Sequence, residues 1–258
     1  MDLGIKGEHA IVCASSKGLG FGCAKALAEA GVNLTMCARN EENLLKSKNE
    51  LLEFGIEIKT AAVDITTENG QQEVLKLCPN PDILINNAGG PPPGLWSDWD
   101  RSDFIKALDA NMLTPIALTK AVLPKMIKNK WGRVINITSK SVKAPIPALG
   151  LSNASRTGLT GYVAGTSRQV ASDNVTINNL LPGSHYTDRI KMLEKNAASK
   201  SNISIEKVRE NNHKKIPCGR YGTIEEFGAT CAFICSIHAG FIIGQNILID
   251  GGEVFSTL

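Results

Sequence analysis

Short apolar runs alternate with amphipathic stretches along most of the chain. The runs are short and rich in aliphatic residues, as buried strands are, and the predicted strands cover residues 10–13, 32–38, 56–63, 82–85, 133–138, 175–181 and 244–249. Apolar residues at helical spacing predict the helices. The first ends at residue 28, the second covers residues 41–54, and the third runs from Thr66 or Thr67 to residue 78. The others follow the stripe from Phe104 to Val122 and cover residues 151–171 and 223–238. This alternation predicts a doubly wound parallel α/β sheet with helices on both faces, and ligands at the carboxyl ends of its strands.

The turn between the first strand and the first helix is rich in small residues. Glycines let the backbone approach a ligand, and the unpaired N–H groups at a helix start favour a phosphate. We therefore predict phosphate contacts from Ser15, Ser16, Lys17, Gly18, Leu19 and Gly20. A glycine-rich connection without a ligand is the alternative, because Cys23 stands where the strict GxGxxG pattern has its third glycine.

The residue at the end of the second strand decides which dinucleotide the fold would prefer. An acidic side chain there would bind the ribose 2′-hydroxyl and repel a 2′-phosphate, whereas a guanidinium attracts the phosphate. This chain has Arg39 at that position and Lys17 in the first turn. Two cations without a carboxylate favour NADP over NAD. The alternative is that both are solvated surface charges.

Further motifs follow the other predicted strands. They are Asp64 and Ile65 after the third, Asn86, Asn87, Ala88 and Gly89 after the fourth, Ser139 after the fifth, and Pro182 and Gly183 after the sixth. We expect these residues to meet at one edge of the sheet. Asn111, on the stripe of the long helix, is either a satisfied core amide or a site residue.

Composition limits the partners and the compartment. The 258 residues are 43% hydrophobic and 21% charged, with a net charge of +3, which suits one globular domain over residues 1–258. The scattered basic residues argue against nucleic acid, and the lack of a long apolar run argues against a membrane span or signal peptide, so a cytoplasmic location is expected. Seven cysteines without a CxxC pair indicate reduced, mostly buried thiols, and no metal site is predicted.

The stretch over residues 184–215 is the most polar part of the chain. Its composition predicts a mobile helical lid, the kind of element that selects the substrate. Three prolines at 91–93 predict a stiff loop after the fourth strand.

These motifs, in this order, resemble the short-chain dehydrogenase/reductases over essentially the whole chain, in particular their 3-oxoacyl-acyl-carrier-protein reductase-like members. Residues 14–20 match the family's TGxxxGxG turn and residues 86–89 its NNAG. Asp64, Asn111 and Ser139 match its adenine-side aspartate, helix asparagine and catalytic serine, while residues 182–183 match its PG turn and 244–252 its closing strand.

The resemblance implies a Rossmann-type fold, NADP(H) as cofactor, and a small-molecule or acyl-carrier-bound carbonyl substrate. It also implies a homotetramer or homodimer built on the helices that begin near Arg101 and Leu151. The predicted cofactor-binding residues are Ser15, Ser16, Lys17, Gly18, Leu19, Gly20, Arg39, Asp64, Ile65, Asn87, Ala88, Gly89, Arg156, Pro182, Gly183 and Thr187. The predicted catalytic residues are Asn111, Ser139, Ser152 and Arg156.

The chain departs from the family in two places. Cys13 and Ala14 replace the Thr-Gly of the first turn, which we expect Ala14 to tolerate only with a negative φ. At the family's YxxxK pair this chain has Ser152 and Arg156. An alkyl hydroxyl is a far weaker acid than a phenol, and arginine does not release its proton, so binding should survive better than turnover.

Three functional interpretations remain open. In the favoured one, a carbonyl reductase works with its proton supplied by water or by Lys143, His185 or Tyr186, although a solvated or packing role is the more common one for each of these side chains. In the second, the chain binds NADP as an impaired regulatory or partner protein. In the third, it is a scaffold without nucleotide, against which residues 86–89 and 182–187 argue.

Overall fold

Seven parallel strands form one sheet in the order β3-β2-β1-β4-β5-β6-β7 in the computed structural model, which describes residues 1–256. The strands are β1 His9–Val12, β2 Asn33–Ala38, β3 Ile58–Ala62, β4 Ile83–Asn86, β5 Gly132–Ile137, β6 Val175–Pro182 and β7 Asn246–Ile249. The order reverses between β1 and β4, where a doubly wound sheet opens a crevice for a ligand. The predicted strands and fold class are confirmed, with ends that differ by one or two residues.

Helices cover both faces of the sheet. They are α1 Gly18–Glu29, α2 Glu41–Leu51, α3 Glu68–Leu77, α4 Arg101–Leu108, α5 Thr114–Asn129, α6 Gly150–Val170, α7 Asp188–Ser201, α8 Ile205–His213 and α9 Ile224–Cys235. Apolar residues of α1, α2 and α9 pack in one hydrophobic cluster, and those of α3, α5 and α6 in a second. The sheet lies between the two clusters, so its central strands β4 and β5 are buried throughout, whereas the edge strands β3 and β7 are partly exposed.

Two predicted helices are interrupted in the structure. The long helix divides into α4 and α5, with a π-helical turn at Asp109–Leu113 that contains Asn111. The stretch predicted over residues 223–238 ends its α-helix at Cys235 and continues, after Ser236, as the short 3₁₀ turn Ile237–Ala239. Single π turns occur often at functional sites, so the turn itself marks Asn111 as a candidate.

A row of asparagine side chains crosses the buried sheet from β4 to β7. Asn86 donates to Asn136 (2.9 Å), Asn136 to Asn179 (3.1 Å) and Asn179 to Asn246 (2.8 Å), each on the neighbouring strand. These bonds satisfy amides that would otherwise be costly in a sheet covered on both faces. The row ends at Asn86, whose side-chain oxygen has no hydrogen-bond partner in the described part of the chain.

The cysteines are free, as predicted, and six are buried while Cys218 is exposed. Within residues 1–256, no group of three or more His, Cys, Asp or Glu side chains is arranged to hold a metal ion. No helix in that range has the length and apolar character needed to cross a bilayer.

Candidate functional site

The glycine-rich turn presents free backbone donors. Helix α1 begins at Gly18 without a side-chain cap, and its first turn contains no acidic residue. Gly18 has a φ of +60°, a conformation that glycine adopts without strain. The hydroxyl of Ser15 is fully buried and has no partner among the described residues. An uncapped helix start beside Lys17 fits a phosphate, so the residues present suit the dinucleotide that the sequence predicts.

The expectation for Ala14 is wrong. Its φ is +48°, in the left-handed region, where an L-residue costs about 1–2 kcal/mol. Two contacts hold the turn in this shape. The side-chain amide of Asn87, after β4, donates to the Ala14 carbonyl (3.4 Å), and Gly20 packs so closely that a Cβ there would lie 2.3 Å from the same oxygen. Tertiary contacts therefore impose the conformation that the local sequence disfavours.

The two cations predicted to bind the 2′-phosphate are both exposed. Arg39 lies one residue beyond β2, and its charge reaches Asp64 beyond β3. Burial alone would raise the pKa of Asp64, but hydrogen bonds from Thr66 and the charge of Arg39 bring that pKa below its usual value. Lys17 instead forms an ion pair with Asp188 of α7 (3.6 Å). Ile65, which follows Asp64 in the sequence, is buried.

The turn after β6 packs against the end of the chain. Gly183 donates to the carbonyl of Ile249, and a Cβ at Gly183 would lie 2.6 Å from Asp250 and Glu253. The methyl group of Thr187 lies 3.7 Å from the Cβ position of Gly18, so residues 182–187 reach the glycine-rich turn. The predicted cofactor residues of the first and sixth strands thus lie together.

Glu253 is a site residue that sequence reasoning missed. Its carboxylate accepts from the backbone N–H and the hydroxyl of Ser184, and it forms a 2.5 Å ion pair with Lys140. Lys140 follows Ser139 directly, so one carboxylate, with a side chain that is 10% exposed, joins the loop after β5 to the turn after β6. No local pattern signals such a contact, because its partners are distant in sequence.

Ser152 and Arg156 meet at the carboxyl end of β5, and Ser139 follows that strand. Arg156 Nη1 donates to the carbonyl of Ile137 (2.7 Å), two residues before Ser139, and Arg156 Nε donates to the Ser152 hydroxyl oxygen (3.2 Å). The Ser139 oxygen accepts from the Ser141 N–H (3.1 Å). Each serine oxygen thus accepts one bond from the protein, which leaves both O–H groups available to donate to a ligand oxygen.

Arg156 is a buried guanidinium without a carboxylate partner in residues 1–256. Arg156 is only 8% exposed, and none of the ion pairs among the described residues includes its guanidinium. Burial, together with the charge of nearby Arg189, lowers the pKa of Arg156 to about 10. A buried cation bonded only to neutral oxygens is well suited to stabilise a negative charge that develops beside it.

Asn111 and Asn86 face a small polar cavity with Arg156. The cavity has a volume of about 10 Å³, close to the minimum for one water molecule, and the side-chain oxygens of both asparagines are buried without a partner among the described residues. The Asn111 amide donates only a long bond to the Ala107 carbonyl (3.4 Å). A larger depression lies away from this cluster, between the start of the chain, α1 and α9, and no predicted site residue lines it.

Two of the three suggested proton donors are engaged elsewhere. The His185 ring is buried edge-on against Phe227, and its Nδ1 is bonded to the Gly183 carbonyl. The Tyr186 ring stacks on Tyr221, and its hydroxyl accepts from Arg209. Lys143 is exposed in the loop after β5. Among residues 1–256, none of these three side chains therefore contacts the two serines as a replacement for the phenol.

Comparison with known proteins finds relatives that match nearly the whole chain. A family model described as enoyl-(acyl carrier protein) reductase matches residues 13–253. The chain is 29% identical to the 3-oxoacyl-acyl-carrier-protein reductase FabG of Aquifex aeolicus (strain VF5), over 98% of this chain and 99% of that protein.

Two solved structures show the same fold. YwfH, an NADPH-dependent reductase involved in bacilysin biosynthesis, is 28% identical with a TM-score of 0.91, covering 97% of this chain and 100% of that one. A 7α-hydroxysteroid dehydrogenase complexed with NADH and 7-oxo glycochenodeoxycholic acid is 26% identical with a TM-score of 0.86, covering 100% of this chain and 98% of that one. The relatives therefore include proteins that use either nicotinamide cofactor.

Proposed function

The chain belongs to the short-chain dehydrogenase/reductase family, and from this premise we propose that it is an NADPH-dependent oxidoreductase that reduces a carbonyl group without a tyrosine proton donor. The observation that carries the proposal is that the buried Arg156 guanidinium bonds both the Ser152 hydroxyl and the end of β5, two residues before Ser139. NADPH, when bound, supplies the hydride. The residues proposed to hold it are those of the glycine-rich turn with Arg39, Asn87 and Thr187.

In this proposal the serines and the arginine divide the work. Ser139 and Ser152 donate hydrogen bonds to the substrate oxygen, and the positive charge of Arg156 stabilises that oxygen as it becomes negative. Neither serine can act as an efficient acid near neutral pH, and the guanidinium keeps its proton. Water therefore delivers the proton, which makes turnover slower than in a site with a phenol.

Two measurements test this function. NADPH fluorescence reports binding, and absorbance reports NADPH oxidation across a panel of ketones, oxo acids and oxo thioesters. We expect binding together with slow oxidation of at least one compound. Binding without oxidation of any compound would instead favour a non-catalytic NADP-binding partner, and failure to bind would exclude both functions.

Reduction of a carbon–carbon double bond conjugated to a carbonyl is a second candidate. The matched family description names an enoyl reductase, and the site lacks an acid. Conjugate reduction leaves an enolate, a weaker base than an alkoxide, which Arg156 and the serines could stabilise until its carbon takes a proton from water. Proton NMR of the product from an unsaturated ketone distinguishes the two reactions, because a saturated ketone has lost the vinyl protons, whereas the unsaturated alcohol of the same mass keeps them.

Cofactor preference gives a direct prediction. Arg39→Asp should weaken NADPH binding by about 10- to 100-fold and NADH binding far less, because the guanidinium can meet only the 2′-phosphate of NADPH. Dissociation constants for both nucleotides, measured by fluorescence, check this result. Arg168→Asp, an exposed charge reversal on α6, is the control. Equal losses for the two nucleotides would refute the assignment of Arg39.

A further inference from the structure

Two arginines near the candidate active site lack acidic partners. In the described part of the chain, the Arg156 guanidinium donates hydrogen bonds to the Ile137 carbonyl and the Ser152 hydroxyl and to no carboxylate. Arg189, in the first turn of α7, donates to the backbone carbonyls of Gly90 and Pro91 at 3.4 Å each. None of the ion pairs in residues 1–256 includes either guanidinium.

The carboxylate nearest to Arg189 in sequence is already engaged. Asp188 pairs with Lys17 of the glycine-rich turn and with Lys191 one turn along the helix. The Arg189 guanidinium instead crosses to the loop after β4, where it lies 2.6 Å from the Cβ position of Gly90. Its bonds there exceed the usual hydrogen-bond length, so a carboxylate could replace them at little cost.

The two guanidinium groups give the candidate site a positive charge on the side of the loop after β4. Arg189 is close enough to Arg156 to disfavour the charge of that buried residue. Arg189 is exposed, so water solvates its charge in the free protein, whereas a bound carboxylate would offset the charges of both arginines. The cofactor phosphates do not fill this role in our assignment, because the start of α1, Lys17 and Arg39 are placed to hold them.

We infer that the carbonyl substrate of this site is an oxo acid, whose carboxylate is bound by Arg189 while its reacting oxygen lies at Ser139, Ser152 and Arg156. This inference rests on the proposed function and narrows its substrate class. It differs from the acyl-carrier expectation, because a carrier thioester has no free carboxylate on its acyl group. Arg189 is therefore a specificity-determining residue on the lid.

Matched substrates test the inference. We would measure NADPH-dependent kcat/KM for a 2-oxo acid, a 3-oxo acid and their methyl esters, which keep the same carbonyl. The native protein should prefer at least one acid to its ester by about 10- to 100-fold, the range expected for a charged bidentate contact. Arg189→Met should remove that preference, leave ester turnover within about threefold and leave NADPH binding nearly unchanged, while Arg189→Lys should restore part of it.

Lys191→Met, which removes another cation from the same helix, is the matched control and should leave the acid preference intact. Equal use of acid and ester by the native protein would overturn the inference. An equal loss of kcat/KM for the acid and the ester in Arg189→Met would also overturn it. So would a rise in the NADPH dissociation constant as large as the loss of kcat/KM for the acid. If neither compound is turned over, calorimetric titration of the oxo acid into the NADPH complex measures binding of the carboxylate directly. No binding, or equal binding to the native protein and to Arg189→Met, would overturn the inference. Turnover of either ester would still support the proposed function when the inference about the carboxylate fails.

Discussion

Replacing Ser152 by Tyr and Arg156 by Lys in one protein is expected to raise turnover of simple ketones about 10- to 100-fold. A correctly placed general acid contributes about 10²–10⁴-fold to rate, and we expect a grafted pair to recover only part of that. The phenol would occupy the position where Ser152 now accepts from Arg156, and the lysine charge would lower the phenol pKa. Initial rates with saturating NADPH measure the gain.

The controls for this double variant separate acid catalysis from packing. Ser152→Phe with Arg156→Lys introduces a ring of similar size without the hydroxyl and should show no gain. The single variant Ser152→Tyr should gain less than the pair, because a buried guanidinium already bonded to Ile137 cannot move to meet the phenol as an amine can. A native protein faster than the double variant would show that Ser152 and Arg156 already form an efficient site.

The fold was predictable because its signal is repeated along the chain. Every buried strand of a parallel sheet reads as a short aliphatic run, and the helices between them carry apolar stripes. The residues after β1, β4, β5 and β6 could also be placed together, since parallel strands bring their carboxyl ends to one edge. The breaks within the helices were harder to predict, because the π turn at Asp109–Leu113 leaves the helical apolar stripe nearly unchanged.

Side chains that cross between elements could not be predicted. Glu253 and Arg189 act on segments more than 60 residues away, at Ser184 and Gly90, so no local spacing reveals them. The conformation of Ala14 was predicted wrongly for a similar reason. The local preference of alanine is real, but the contacts of its carbonyl with Asn87 and Gly20 outweigh it.

The same contacts make Gly20 a position where a single methyl group should disturb both the glycine-rich turn and the cofactor site that we propose for it. A Cβ at Gly20 would lie 2.3 Å from the Ala14 carbonyl oxygen and 2.7 Å from the Asn87 amide nitrogen. The first atom belongs to the backbone, so relief requires the glycine-rich turn itself to shift. We expect Gly20→Ala to raise the NADPH dissociation constant more than 10-fold and to cost about 1–3 kcal/mol of unfolding free energy, a Tm decrease of several degrees.

Gly161→Ala provides the matched control, because the Cβ position at Gly161 in α6 has no neighbour within 4 Å. There the substitution should leave NADPH binding unchanged and stabilise the protein by up to about 1 kcal/mol, as alanine is the better helix former. Thermal unfolding and NADPH titration of both variants measure the contrast. If Gly20→Ala keeps the native Tm and the native NADPH affinity, the glycine-rich turn is not held by these contacts and does not cradle the cofactor.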